Sequence, residues 1–159
     1  MCHEPVRNSP KRQPDRESFV AFMTLFGRAQ EELRDLMRGA PGPAAGLGPM
    51  QMRALCICVE NPGAAQSHLA KAMGRDKGQI ARMAKELEER GLLAREPDAR
   101  DKRSCRLTAT ASGIERSRWF ESLEEAVAGR MFAGVGLEAR DGLSAALALM
   151  ESGLAGEGA

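Results

Sequence analysis

The chain has 159 residues with 23 Lys and Arg against 22 Asp and Glu, so its formal charge is +1, which argues against a generic polycation. Hydrophobic residues make up 43% and charged residues 28% of the chain, a composition typical of a globular protein rather than a disordered one. Aromatic residues make up 4%, with no tyrosine, which argues against a protein that reads single strands by base stacking.

The first 39 residues divide into a polar arm and a helix. Residues 1–15 hold three prolines and no apolar stretch that would serve as a secretory signal, so a mobile arm on a cytoplasmic protein is predicted. No apolar run approaches the ~18 residues of a membrane-spanning helix, which predicts that the protein has no membrane partner. From Arg16 to Gly39, apolar residues recur at helical spacing on one stripe: Phe19, Phe22, Met23, Phe26, Leu33, Leu36 and Met37.

A glycine- and proline-rich connector over residues 39–46 leads into three shorter helices. The first begins at Pro49, ends at Asn61-Pro62-Gly63 and is expected to bury Met52, Leu55, Cys56 and Val59. The second ends at Gly74 and has an apolar face made of Leu69, Ala70 and Met73. Asp76 is the expected N-cap of the third, which Gly91 closes and whose buried side is Ile80, Met83, Ala84 and Leu87.

Two strand-like segments, 93–96 and 104–109, come next and are joined by a charged turn over residues 97–103. Thr110 is the expected cap of a further helix, which ends before Gly134 and carries Ile114, Phe120, Leu123, Val127 and Met131. A last helix carries Leu137, Leu143, Leu147, Met150 and Leu154. The predicted fold is mainly α with a small β-hairpin wing. Three short helices followed by a hairpin are the order of elements in a winged helix-turn-helix.

Charge is unevenly distributed along this predicted fold. Residues 51–110 hold 12 basic and 8 acidic side chains, whereas residues 111–159 hold 4 and 8. A polyanionic partner must therefore meet the middle of the chain. Because a helix fits the major groove and a hairpin can reach the minor groove beside it, double-stranded DNA is the predicted partner.

The residues predicted to face DNA lie on the third short helix and on the hairpin. The helical spacing puts Gly78, Arg82 and Lys85 opposite the buried side, and the start of the helix adds Lys77 and Gln79. The hairpin adds five cations that can each neutralise a phosphate: Arg95, Arg100, Lys102, Arg103 and Arg106. A solvated charged loop is the alternative for the hairpin, and an ion pair with Glu89 is the alternative for Lys85.

Five segments resemble, in order and spacing, the MarR family of bacterial winged helix-turn-helix transcription regulators: 47–55, 66–70, 87–95, 98–103 and 110–113. The resemblance implies that Arg103 enters the minor groove and that Asp101 orients it. It implies likewise that Arg82 faces the major groove and that Gln66 and Ser67 contact the DNA backbone. Ala65 departs from the family pattern, since many members carry a Ser or Thr cap at this position.

The resemblance also implies a homodimer. Residues 16–46 are then an N-terminal dimerisation helix with its connector, residues 47–110 the DNA-binding domain, and residues 111–159 the C-terminal dimerisation helices. Two-fold symmetry would present two recognition helices to a pseudo-palindromic operator, and repression is the expected outcome. The sequence has no catalytic constellation, phosphate loop or zinc-ligand spacing, so we predict no enzymatic activity, no cofactor and no metal.

The signal that such a regulator senses has two candidate forms. By the resemblance, a small aromatic or phenolic carboxylate binds a wall of Phe22, Phe26, Met52 and Cys56 with Arg16 as counter-ion, although the same residues also fit a plain core. The alternative is a redox-sensing regulator in which Cys58 or Cys105 is oxidised. Cys56 and Cys58 cannot bridge each other, since they lie about 200° apart on one helix. A protein-interaction module that does not bind DNA is a third reading.

Overall fold

The computed structural model describes residues 14–39, 42–98 and 105–155, which contain six α-helices, one short 3-10 helix (Gly42–Ala44) and three short strands. The helices are α1 (Pro14–Met37), α2 (Pro49–Glu60), α3 (Gln66–Met73), α4 (Lys77–Glu89), α5 (Ala111–Met131) and α6 (Leu137–Ala155). The strands are β1 (Ala64–Ala65), β2 (Leu93–Pro97) and β3 (Cys105–Ala109). The predicted winged helix-turn-helix is confirmed. The predicted arm, apart from its last two residues, and most of the hairpin turn lie outside the described residues.

The core of the winged helix-turn-helix lies where α2, α3, α4 and the sheet meet. The side chains that the helical periodicity predicted to be inside are fully or almost fully buried, among them Met52, Leu55, Leu69, Ile80 and Leu87. Two predictions of burial were only partly met, because Val59 and Met83 are half-buried. Met83 lies at the side of α4, where it lines a cleft beside Met50 and Gln51 of α2.

The three strands form one antiparallel sheet in the order β1-β3-β2. The hairpin pairs Leu93 with Ala109 and Pro97 with Cys105, close to the predicted strand bounds. The sequence analysis missed β1, in which Ala64 and Ala65 pair with Leu107 and Arg106 of β3. Two alanines have no preference for a strand, so this element exists only because β3 lies beside it.

Thr110 joins the end of the hairpin to the start of α5, as predicted. Its hydroxyl donates to the carbonyl of Gly91 at 2.7 Å and accepts from the backbone N–H of Gly113 at 3.0 Å. The hydroxyl therefore satisfies one of the N–H groups that the first turn of a helix leaves unpaired.

The described chain separates into two compact units, with the boundary between Leu123 and Glu124 inside α5. In the second unit, Arg140 donates to the carbonyls of Phe132 and Val135 and lies 5.6 Å from the centre of the Phe132 ring. It thereby contacts the backbone of the segment between α5 and α6 at two carbonyls. None of the described helices is long and apolar enough to cross a membrane.

Candidate nucleic-acid interface

The turn between α3 and α4 has the backbone conformation that a helix-turn-helix requires. Gly74 ends α3 with φ +59°, in the left-handed region where a residue without Cβ is favoured. Two residues later, Asp76 accepts a hydrogen bond from the backbone N–H of Gln79 at 2.9 Å. This confirms the predicted N-cap, and α4 accordingly begins at Lys77.

The two faces of α4 are chemically opposite. Ile80, Ala84 and Leu87 are fully buried, and they hold the helix against the core. Every residue of α4 that was predicted to face DNA is exposed: Lys77, Gly78, Gln79, Arg82 and Lys85. A capped helix that buries one face and presents two or three cations on the other fits the major groove.

The cations of α4 differ in what they contact. Arg82 forms no ion pair with any described residue, whereas Lys85 Nζ lies 3.7 Å from Glu89 Oε1, four residues further on. Both partners of that pair are exposed, and such pairs contribute about 0–1 kcal/mol, so phosphate can displace Glu89. The ion pair with Glu89, which was the alternative role for Lys85, is thus present, but the lysine stays accessible to solvent.

The start of α3 also faces solvent. Ala65 occupies its N-cap position with an extended backbone and makes no side-chain hydrogen bond, as its departure from the usual Ser or Thr predicts. Ser67 is exposed and Gln66 is half-buried. The N–H groups of this first turn therefore remain available to an anion.

Of the cations predicted on the hairpin, the two that the structure describes are each paired with a carboxylate. Arg95 on β2 pairs with Glu88 of α4, with 2.7 Å between Nε and Oε2. Arg106 on β3 pairs with Asp98, with 3.1 Å between Nε and Oδ2, and also donates to the carbonyl of Gly63 at 3.0 Å. The remaining predicted contacts of the hairpin lie outside the described residues: Arg100, Asp101, Lys102 and Arg103.

Arg75 is an exposed cation beside the predicted residues of α4 that sequence reasoning missed. It is exposed in the turn between α3 and α4 and lines a cleft of about 410 Å³ together with Gln79 and Arg82. The sequence did contain a signal for Arg75: it directly precedes the capping residue Asp76 and lies within residues 51–110, the most basic segment of the chain. Arg75 extends the basic surface beyond the predicted set.

The residues proposed as an effector wall differ in their exposure. Met52 and Cys56 are completely buried, and the hydroxyl of Ser117 donates to Cys56 Sγ at 3.3 Å. Phe22 and Phe26 are instead 45% and 48% exposed on α1, where their rings stack with centres 6.4 Å apart. Arg16 is exposed near the start of the same helix. The two buried side chains belong to the core, which was the plain alternative for them.

The cysteines predicted as redox candidates have different surroundings. Cys58 is 1% exposed, and burial, with a smaller contribution from Cys56, raises the pKa of its thiol from 9.0 to about 11. Oxidation proceeds through the thiolate, so this environment suppresses reaction at Cys58. Cys105 is half-buried at the start of β3. Within the described ranges, no group of three His, Cys, Asp or Glu side chains could hold a metal ion.

Part of the sequence is similar to known transcription regulators. Residues 47–105 match the model of the MarR family. A putative transcriptional regulatory protein for the hcr operon of Thauera aromatica is 36% identical over 70 residues, which are 44% of this chain and 42% of that relative. The match thus spans less than half the length of the curated relative.

Solved structures resemble nearly the whole chain. The MepR–DNA complex of S. aureus has a TM-score of 0.74 at 20% identity and covers 84% of this chain and 96% of that one. CouR from Rhodococcus jostii RHA1 bound to p-coumaroyl-CoA has a TM-score of 0.72 at 24% identity, covering 86% and 92%. Both likenesses extend over the helices that flank the matched domain.

Proposed function

We propose that this chain is a member of the MarR family, whose model matches residues 47–105, and that it binds double-stranded DNA as a homodimer and regulates transcription. The observation that carries the proposal is the exposed basic face of α4. Its cap at Asp76 and its buried side at Ile80, Ala84 and Leu87 hold this face outward. Direct reading of base edges in the major groove requires such a rigid helix with side-chain donors.

Each part of the interface has its own role in this proposal. Arg82 donates to a base edge, and Gln79 reaches a base from the first turn of α4. Phosphates are contacted by Lys77, Lys85, Arg75 and the first turn of α3 with Gln66 and Ser67. Gly78 lets the backbone approach DNA closely. Residues 99–104 complete the interface, with Arg103 in the minor groove and Asp101 orienting it.

Dimerisation is supported by apolar side chains that a single chain leaves exposed. On α1 these are Phe19, Val20, Phe22, Met23, Leu25 and Phe26. On α6 they are Leu137, Leu143, Leu147, Leu149, Met150 and Leu154. Exposed apolar side chains in this number on each helix are typical of protein–protein contacts. A two-fold axis would then present two copies of α4 to a pseudo-palindromic operator.

Repression released by a small aromatic effector is the regulatory scheme we propose. Support comes from CouR, a protein of the same fold that was solved with p-coumaroyl-CoA. Since Met52 and Cys56 are buried in the core, the contacts of an effector are assigned to Arg16, Phe22 and Phe26 on α1. Binding linkage is reciprocal, so an effector that weakens DNA binding must itself be bound more weakly when DNA is present.

Selection of bound sequences from random duplex DNA, followed by titration of the selected duplex, tests this function. We expect affinity to fall steeply with salt, because each neutralised phosphate releases a counterion. We expect affinity to fall at least tenfold for Arg103→Ala, because the variant has no side chain to enter the minor groove. Arg118→Ala, on the exposed surface of α5, is the matched control and should bind as the unaltered protein does. A shallow salt dependence together with equal affinity of Arg103→Ala would show that DNA is not the partner.

A further inference from the structure

Arg106 joins three segments of the chain at the base of the hairpin. Its Nε lies 3.1 Å from Asp98 Oδ2, and its Nη1 donates to the carbonyl oxygen of Gly63 at 3.0 Å. Asp98 directly follows β2, Arg106 is the second residue of β3, and Gly63 directly precedes β1. One guanidinium group therefore connects both strands of the hairpin to the turn in front of α3.

The surroundings of this contact indicate that it is structural. Asp98 is 9% exposed, and a buried carboxylate is costly unless a cation and hydrogen bonds compensate it. The turn at Gly63 is held from a second side, because its N–H donates to the carbonyl of Leu107 at 2.9 Å. The planar guanidinium group of an arginine can donate hydrogen bonds to a carboxylate and a carbonyl at once. The compact ammonium group of a lysine is less suited to this geometry.

We propose that Arg106 is a positioning residue for DNA binding, which sets the hairpin relative to the helix-turn-helix through Asp98 and Gly63. In the sequence, Asp98 directly precedes residues 99–104 and Arg106 follows them by two positions. The contact between the two side chains therefore fixes the ends of β2 and β3 from which residues 99–104 extend. Gly63 leads through β1 directly into α3. The inference rests on the proposed DNA-binding function and replaces the predicted phosphate contact of Arg106 with an indirect role.

The two roles of Arg106 make opposite predictions for Asp98. If Arg106 contacted phosphate, Asp98→Asn would free its guanidinium and remove a negative charge near DNA, so affinity would stay equal or rise. If Arg106 positions the hairpin, Asp98→Asn weakens the connection, because a neutral amide oxygen replaces the charged partner of the guanidinium, and affinity falls although the protein becomes more positive. Removal of a negative charge near DNA cannot by itself lower the affinity for DNA.

Titration of one selected duplex at several salt concentrations separates these roles. We expect Asp98→Asn and Arg106→Ala each to weaken binding at least fivefold, and the double variant to bind no more weakly than Arg106→Ala. Arg106→Lys, which keeps the charge but loses the planar guanidinium group, should bind as weakly as Arg106→Ala. The slope of log affinity against log salt should be unchanged in Asp98→Asn.

Glu96→Gln is the matched control, because Glu96 is exposed on β2 and pairs in register with Arg106. It removes the same charge from the same hairpin, and its affinity should be equal or higher. Equal or tighter binding by Asp98→Asn, or full binding by Arg106→Lys, would overturn the positioning role.

A second measurement does not depend on DNA. Residues 100–103 hold three sites for trypsin, Arg100, Lys102 and Arg103. Cleavage in a native protein reports local opening, so Asp98→Asn and Arg106→Lys should be cut there severalfold faster than Glu96→Gln at equal global stability. Unchanged cleavage would overturn the inference. Failure of the unaltered protein to bind any duplex, with this cleavage pattern present, would instead refute only the proposed function.

Discussion

The carbonyl oxygen of Leu92 occupies the space that a side chain on Gly113 would need. A Cβ placed on Gly113 would overlap this oxygen and lie 3.3 Å from Leu55 Cδ1. The same carbonyl accepts the backbone N–H of Thr110 at 3.1 Å. The start of α5 thus lies directly against the segment between α4 and β2. The close approach of the α5 backbone to the carbonyl of Leu92 explains why Thr110 is followed three residues later by a glycine, Gly113.

Gly113→Ala should therefore destabilise the protein. The backbone of Leu92 cannot move without disturbing the bond to Thr110, and overpacking of this kind costs about 1–3 kcal/mol. Chemical denaturation monitored by circular dichroism measures the free energy of unfolding. Gly129→Ala, in the same helix and with no neighbouring atom within 4 Å, is the control and should be neutral or stabilising. Equal effects of the two substitutions would contradict the argument.

Asp76 is expected to contribute to stability through its cap. Asp76→Ala leaves the N–H of Gln79 without its partner, which costs about 0.5–2 kcal/mol. Asp76→Asn retains an acceptor oxygen and should lose much less. The midpoint of urea unfolding for the two variants checks this, and an alanine variant as stable as the asparagine variant would show that the bond has no energetic role.

Arg82 is expected to determine sequence preference. Arg82→Ala should weaken binding to the selected duplex by about 1–3 kcal/mol and relax the preference at one base pair of each half-site. Competition with duplexes altered at single positions measures both effects. Arg53→Ala, exposed on α2, provides a control with the same loss of charge. A uniform loss of affinity across all sequences would assign Arg82 to phosphate instead.

Phe26 is expected to lie in the dimer contact of α1. Phe26→Asp introduces a charge into the exposed apolar stripe beside the stacked ring of Phe22, and it should shift the molar mass in solution from dimer to monomer. Light scattering after size-exclusion chromatography reads this directly. Arg28→Asp, exposed on the same helix, should remain dimeric. A dimeric Phe26→Asp protein would remove α1 from the proposed contact.

Cys58 is expected to make stability depend on alkaline pH. Its thiol has a pKa of about 11 in the folded protein against 9.0 ordinarily, so the unfolded chain releases the proton first. The free energy of unfolding should thus fall above pH 9, by up to about 1.4 kcal/mol per pH unit, until pH 11. Cys58→Ala should lack this decline. In the native protein at pH 8, iodoacetamide should label Cys105 before Cys58, and the reverse order would contradict the burial argument.

Much of the helix-turn-helix could be predicted because its signals are local. The apolar spacing of Ile80, Ala84 and Leu87, the cap at Asp76 and the stop at Gly74 act within a few residues of one another. Strand β1 could not be predicted, since nothing in two alanines favours it before β3 lies alongside.

The sequence by itself determined the order of the helices and of the two hairpin strands, and the face of α4 that carries cations. Only the tertiary structure decided which cations are available. Arg82 and Arg106 look equivalent in the sequence, yet Arg82 is exposed without an ion partner in the described chain, while Arg106 is held by Asp98 and Gly63. The physical reason is distance along the chain: Gly63 lies 43 residues from Arg106, and no local pattern encodes a contact of that separation.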